Sequence, residues 1–410
     1  MTNENGQTLT RKQKKKLDQL TKQRRRNVII VMVEVVLLLL LSIGCYGVNV
    51  LSSYQREELS PSIYLETLPT PGADETEYKI ITKVLESTND EGSVVATEIE
   101  TAVEAVKSQG YRNILILGID TVDQEEFEEL GHQTDVMIIA SINNATGDVK
   151  LVSVLRDTIF RMEPGTSTRN YEKANHQFAV TSSPSQVVSM INRNLGLDIQ
   201  DYILINWYGV AKCVNQLGGI ELTIPDETIL SAFNGYLSAV NEATGIWAPQ
   251  FSEPGTYLMS GTQVVAFCRI RQQWYDEGRT ENQRVAIGKI LEKAKSLMKS
   301  GQFSTLLNVA QTGLGNVKTN LSLGQLLDLV MRIGDFRIAE TRQFPIEYAG
   351  GEKEIGNYLS KYHVDWPNVA IDFAQEVKDL HTFLFPGQYY FPSNFINTIS
   401  KEMENDRLGK

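Results

Sequence analysis

Two rhythms of apolar residues run along the chain after residue 110. Residues 113–120, 135–142 and 149–157 are short, nearly continuous runs of Ile, Leu, Val and Met, and each closes on or opens with a charged residue. Such runs predict strands buried on both faces rather than strands with one wet side. Between the last two, Asn143, Asn144 and Gly147 predict a tight turn. Elsewhere apolar residues recur three and four apart, predicting helices over 186–195, 208–217, 304–312 and 323–333. A further helix follows Glu277 with Val285, Ile287, Ile290 and Leu291 on its apolar side, and a last one spans 369–385. Residues 202–205, 220–224 and 336–344 predict further strands, and Ala266 to Arg271 also reads as a buried strand. Strands mixed with helices in this order predict an α/β (α+β-like) fold, with helices covering a mixed central β-sheet.

The beginning of the chain has another character. Residues 28–48 are apolar apart from Glu34 and Ser42. Their length, about 30 Å as a helix, suits the hydrocarbon core of a bilayer. Ahead of them, residues 1–27 carry nine Lys or Arg and two acidic side chains. By the positive-inside rule that end stays cytosolic and the rest is exported. No small-residue cleavage site follows the apolar run, so it reads as an uncleaved anchor. Pro61, Pro69, Pro71 and Gly72 break regular structure in a stalk that also carries two short helical patterns. The expected organisation is a basic cytosolic tail (1–27), a transmembrane helix (28–51), a stalk (52–109), a folded domain (110–385) and a C-terminal tail (386–410).

Charge and cysteine content narrow the function. The whole chain has a net charge of −11, yet its first 27 residues are strongly basic, so the exported part is markedly acidic. That excludes general nucleic-acid binding, which requires clustered cations. Three cysteines form no disulfide framework; Cys213 and Cys268 read as buried free thiols.

Against this acidic background, certain charged residues fall at the ends of buried strands. Asp120 follows the first strand and Asp135 opens the second. As hard oxygen ligands at one sheet edge they suit Mg²⁺ completed by phosphate, or else they are turn-forming residues. Arg156 and Asp157 close the third strand, and Arg161 follows. Arg269 and Arg271 lie two apart, on one face if that segment is a strand. Arg279 and Gln283 lie four apart near the start of a helix, where a phosphate is also favoured. A ring of arginines suits a di- or tri-anionic group, while surface salt bridges are the plainer account.

The order and spacing of these blocks resemble the LytR-CpsA-Psr family. The resemblance is carried by Asn113 to Asp120, Asp135 to Asn143, Lys150 to Asp157 and the Lys173-Ala174-Asn175-His176 block. It continues through Asn206-Trp207-Tyr208-Gly209, Phe251 to Gly255 with Leu258 and Gly261, and Arg269, Arg271, Asp276, Gly278, Arg279, Gln283 and Arg284. It implies a membrane-anchored phosphotransferase at a Gram-positive-type cell envelope, single-pass, with its catalytic domain outside. Its donor would be a glycopolymer on a polyprenyl-pyrophosphate carrier and its acceptor peptidoglycan.

By the same resemblance, Asp120 and Asp135 would bind Mg²⁺. Arg156, Arg161, Lys173, Arg269, Arg271, Arg279 and Gln283 would hold the pyrophosphate, and Arg156, Asp157, Arg269 and Arg271 are the candidate catalytic groups. Three positions depart from the family pattern by lacking an arginine: Thr121-Val122, Gln133 and Asn282. Gln133 therefore joins the expected pyrophosphate contacts as a neutral donor. Those departures keep two rivals in view: a non-catalytic holder of the lipid-linked polymer, and a pyrophosphate hydrolase that uses water as acceptor.

Overall fold

The computed structural model describes residues 110–119, 121, 129–167, 170–271, 276–350 and 367–408. The expected cytosolic tail, transmembrane helix and stalk lie outside the described residues, as does Asp120. Among the described residues no helix is long and apolar enough to cross a membrane.

The strands, in chain order, are β1 (Tyr111–Ile119), β2 (Thr134–Asn143), β3 (Asp148–Val154), β4 (Ile159–Arg161), β5 (Tyr171–Lys173), β6 (Asp201–Asn206), β7 (Ile220–Ile224), β8 (Gly255–Met259), β9 (Val317–Thr319), β10 (Arg337–Phe344), β11 (Tyr348–Ala349) and β12 (Val369–Ala370). The helices are α1 (His176–Thr181), α2 (Pro184–Leu195), α3 (Trp207–Gln216), α4 (Glu227–Thr244), α5 (Gly261–Phe267), α6 (Asp276–Lys299), α7 (Phe303–Leu314), α8 (Leu323–Met331), α9 (Phe373–Leu384) and α10 (Asn394–Leu408). Six strands form the main sheet in the order β10-β3-β2-β1-β6-β9. β1, β2 and β3 are antiparallel neighbours, whereas β6 runs parallel to β1 and β10 parallel to β3. The expected mixed sheet is therefore present.

Both faces of this sheet are covered, which is why its strands read as continuous apolar runs. Leu115, Leu117, Ile119, Met137, Ile139, Val152 and Val154 face α1, α2, α9 and α10. Alternate residues, Ile114, Ile138, Ala140, Val149 and Leu151, face Ile287 and Leu291 of α6 and Leu329 of α8. A second core gathers Val214 of α3, Leu222 of β7, Phe233 and Leu237 of α4 and Val264 of α5. Asn143 closes the turn between β2 and β3, its Oδ1 accepting from the backbone of Ala145 and Thr146.

Two expectations change. The segment expected as a strand, Ala266 to Arg271, is the end of α5 followed by a turn. Ser260 and Gln263 form a capping box at its start, and all seven residues of α5 are buried. A short helix buried all round has no periodic signature, so its apolar run mimics a strand. Residues 386–410, set apart as a tail, contain α10, whose Ile396, Ile399 and Met403 are buried in the main core. The helix expected over 369–385 is accordingly not the last, and it begins only at Phe373, after β12.

α9 also carries a pH-sensitive contact. His381 is buried, its Nε2 is 2.8 Å from the Leu195 carbonyl oxygen, and its ring stacks on Tyr390 at 3.4 Å. Burial pulls its pKa down from 6.5 to about 4. The folded form thus holds the ring neutral, donating Nε2–H to the carbonyl, while the unfolded chain takes up a proton below its ordinary value. The contribution is complete above pH 6.5 and is lost as pH falls towards 4, by roughly 3 kcal/mol in all. His381→Gln removes this titration. Its melting temperature should drop less between pH 7 and pH 4.5 than that of the wild type; parallel drops would show that His381 does not contribute.

Candidate functional site

The ends of β1, β2 and β3 meet the start of α6 at one edge of the main sheet. Gly118 pairs with Val136 and Ile119 with Thr134, so Asp135 is the extra residue of a bulge. Bulges re-aim a side chain and commonly stand beside functional sites. A Cβ at Gly118 would lie 2.8 Å from that of Val136, so only glycine permits this approach. Arg156 emerges just past β3. Its Nη1 is 2.9 Å from Asp135 Oδ1 and its Nε 3.3 Å from Asp157 Oδ2. Lys173, from β5, reaches Asp157 Oδ1 at 3.0 Å. From the first turns of α6, Arg279 places Nη1 3.6 Å from Asp135 Oδ2 and Nη2 3.3 Å from the Asp135 carbonyl oxygen.

Lys173, Asp157, Arg156, Asp135 and Arg279 therefore form one chain of alternating charge. Three cations are held by two carboxylates, which leaves an excess of positive charge for an anion. The side chains of Arg156, Asp157 and Lys173 are 16–22% exposed, so they are shielded yet reachable. That geometry can hold a phosphate with little reorganisation.

One turn beyond Arg279, Gln283 is buried and its Nε2 donates to the Cys268 carbonyl at 3.4 Å, while its Oε1 has no hydrogen-bond partner among the described residues. This contact joins the charged chain to Arg269, whose guanidinium stacks on the Trp207 ring at 3.5 Å, with Tyr236 at 5.7 Å. Arg284 is buried, donates to Ser153 Oγ at 2.8 Å, and has its pKa lowered by desolvation. Asn282 is spent on structure, its amide donating to the Phe267 carbonyl at 3.3 Å. Gln133 is exposed, and its Oε1 accepts from Asn175 Nδ2 at 3.0 Å. Its own amide N–H groups are thereby offered outwards.

Two arginines sit differently from the expectation. Arg161 makes no ion pair among the described residues; its guanidinium lies over Phe395 of α10 at 5.3 Å, beside that of Arg193 at 4.8 Å. It leans on the C-terminal helix rather than joining the charged chain. Arg271 is exposed beyond the turn after α5, and it does not share a strand face with Arg269. Trp207, Tyr236, Ser153 and Asn175 were missed from sequence. Trp207 and Asn175 belonged to recognised blocks, but nothing in their spacing marks an aromatic as the seat of a distant arginine.

Cys213 and Cys268 are free, and burial pushes their thiols up to about 11 and about 12, so neither is a nucleophile at neutral pH. Among the described residues no group of three or more His, Cys, Asp or Glu is placed to hold a metal ion. Asp135 is the one member of the expected metal pair that is described. Both of its carboxylate oxygens face guanidinium groups, Oδ1 at 2.9 Å from Arg156 and Oδ2 at 3.6 Å from Arg279, in a side chain 28% exposed.

A three-layer mixed-sheet domain with a charged chain of arginines, lysine and carboxylates at one sheet edge defines a candidate anion-binding α/β protein. A sequence model of the LytR_cpsA_psr family matches residues 76–371, and the chain belongs to that family. An Enterococcus faecalis relative named polyisoprenyl-teichoic acid–peptidoglycan teichoic acid transferase TagU is 28% identical over 248 residues, covering 58% of this chain and 72% of that protein. A Bacillus subtilis protein of the same name is 25% identical, with 65% and 77% covered. Biofilm regulatory protein A of Streptococcus mutans is 26% identical over 52% of this chain and 50% of its own. In fold, the chain is similar to a crystal structure of a Streptococcus agalactiae protein, with a TM-score of 0.54 at 19% identity, over 71% of this chain and 94% of that one.

Proposed function

We propose that the protein is a membrane-anchored, outward-facing phosphotransferase that moves a glycopolymer phosphate from a polyprenyl-pyrophosphate carrier to peptidoglycan. The observation that carries this reading is the Lys173–Asp157–Arg156–Asp135–Arg279 chain at the edge of a family fold. Family membership and the names of the transferase relatives support it.

In this reading the pyrophosphate lies against Arg156, Lys173, Arg269 and Arg279, with Gln283 and Gln133 as neutral contacts. The acceptor hydroxyl attacks the sugar-side phosphorus and the bridging P–O bond breaks. The polymer leaves with one phosphate, and polyprenyl phosphate departs with the other. The hydroxyl proton passes to one of the two site carboxylates, Asp135 or Asp157. Charge that builds on the bridging and terminal oxygens meets fixed guanidinium groups, so most of the catalysis is electrostatic. Mg²⁺ held by Asp135 and Asp120 would supply further charge neutralisation.

The test is product analysis with a labelled lipid-linked glycan, with and without peptidoglycan. Label on peptidoglycan together with released polyprenyl phosphate supports transfer. Release without an acceptor points to hydrolysis, and binding without release to a polymer holder. For the metal, Asp135→Ala and EDTA should each abolish transfer while the protein stays folded; full activity under either treatment would sink the Mg²⁺ assignment.

Gln133→Arg probes the family departure nearest the charged chain. Asn175 Oδ1 is buried without a hydrogen-bond partner among the described residues, so an arginine at 133 finds an acceptor there once the Asn175 amide turns over. Its charge then adds to the phosphate side. Inorganic pyrophosphate should bind tighter by roughly 1–2 kcal/mol, with a steeper loss at high salt. Unchanged or weaker binding in a folded variant would mean that this corner does not address phosphate.

A further inference from the structure

Arg284, on the sheet-facing side of α6, is 7% exposed, and the fold does little to compensate its charge. Its Nη1 donates to Ser153 Oγ at 2.8 Å, while its Nε is buried with no hydrogen-bond partner among the described residues. Among those residues its one ion pair is with Glu281 Oε2 at 3.9 Å, and that side chain is 71% exposed, so water screens the contact. The surroundings are apolar. Ser153 pairs in the sheet with the buried Ile138, and Ile287, one turn further along α6, packs against the same cluster.

A guanidinium has five N–H donors, and arginine is rarely buried unless paired. One hydrogen bond to a serine hydroxyl offsets little of the desolvation of a full charge. A neutral side chain could tie α6 to β3 equally well. The uncompensated charge is therefore the feature that needs a reason.

Its position supplies one. Arg284 is five residues past Arg279, about 7.5 Å of helix rise. Ser153, which holds it, is three residues before Arg156, roughly 10 Å of extended chain. The guanidinium thus lies inward of the charged chain, behind the groups that would meet a ligand. A buried charge is screened far less than an exposed one, so its field reaches that far.

We propose that Arg284 is a supporting cation of the anion site, held uncompensated behind Arg156 and Arg279, whose field strengthens anion binding without contact. The inference rests on the anion-site reading of the charged chain and adds a selectivity to it. Attraction through the field grows with the charge of the ligand, so Arg284 favours a diphosphate over a monophosphate. That suits a transferase, which must hold a pyrophosphate carrier and release a monophosphate.

The experiment titrates the full chain in lipid nanodiscs with inorganic pyrophosphate and, separately, with orthophosphate. Arg284→Met should raise the pyrophosphate Kd about 30-fold and the orthophosphate Kd by markedly less, since a unit charge at this range acts on every charge of the ligand. Arg284→Lys keeps the charge and should bind both anions nearly as the wild type does. The double variant Arg284→Met/Ser153→Ala leaves no orphaned hydroxyl, so without ligand it should melt at or above the wild-type temperature. Unchanged pyrophosphate binding in Arg284→Met, or equal losses for the two anions, would overturn the inference. A double variant that melts below the wild type would overturn it too, by making the guanidinium a structural tie. A wild-type chain that binds neither anion would remove the anion-site reading itself, which the other outcomes leave standing.

Discussion

Replacing Arg156 with alanine should cut transfer about 100- to 1,000-fold while leaving a folded domain. That is the usual cost of removing one fixed donor from a site where transition-state charge accumulates. Arg156 is the middle link of the charged chain, and it touches both carboxylates. Without it, Asp135 and Asp157 keep their negative charges but lose the guanidinium between them, so they repel an incoming phosphate instead of helping to place its partner. The loss should therefore appear in both turnover and pyrophosphate affinity. Arg156→Lys should recover part of the affinity, because a point charge survives, and less of the rate, because the fork that spans two carboxylates does not. Arg161→Ala is the contrast: its guanidinium lies over Phe395, away from this chain, so transfer should change little. Equal losses in Arg156→Ala and Arg161→Ala would show that general surface charge, rather than this network, drives binding.

The fold was legible where burial leaves a simple trace. β1, β2 and β3 are covered on both faces, so each stands out as a nearly continuous apolar run bounded by a polar residue. α2 and α3 present one apolar side and were found within two residues of their ends. Legibility failed at α5, since a helix of seven buried residues has no wet face to impose a period. It failed again at α10, which was assigned to a tail because nothing local reveals that α9 and the sheet leave a surface for it.

The site divides the same way. Asp135, Arg156, Asp157 and Arg279 sit at strand ends and at a helix start, places where chain geometry brings polar residues together, and the structure does bring them together. Arg269 could be suspected but not placed, since its position depends on Trp207, which is remote in sequence. Arg161 was misplaced because a residue so close to Arg156 looks like a neighbour of the site, whereas the turn after β3 and the short strand β4 carry it towards α10.

Gly261→Ala should be among the most damaging single changes available, although it adds one methyl group. A Cβ at this position would fall inside the van der Waals shell of the Ala211 carbonyl oxygen and lie 2.5 Å from that carbonyl carbon. Both obstacles are backbone, so no side chain can swing aside, and α3 must move away from α5. Over-packing of a core usually costs about 1–3 kcal/mol and occasionally more; a backbone-to-backbone clash between two buried helices belongs at the upper end. The same displacement breaks the 2.7 Å bond from the Gly261 amide to Asn215 and shifts the two elements that hold the Trp207–Arg269 stack. Pyrophosphate affinity should therefore fall even at temperatures where the variant remains folded. Gly288→Ala is the control. Gly288 lies inside α6, where a Cβ meets nothing within 4 Å, so alanine there should stabilise the protein by about 0.5–1 kcal/mol through helix propensity alone. Thermal unfolding of the two variants should move in opposite directions. A Gly261→Ala variant that melts with the wild type and binds pyrophosphate equally well would mean that α3 and α5 are not locked together at this point, and that the arginine stack is held by something else.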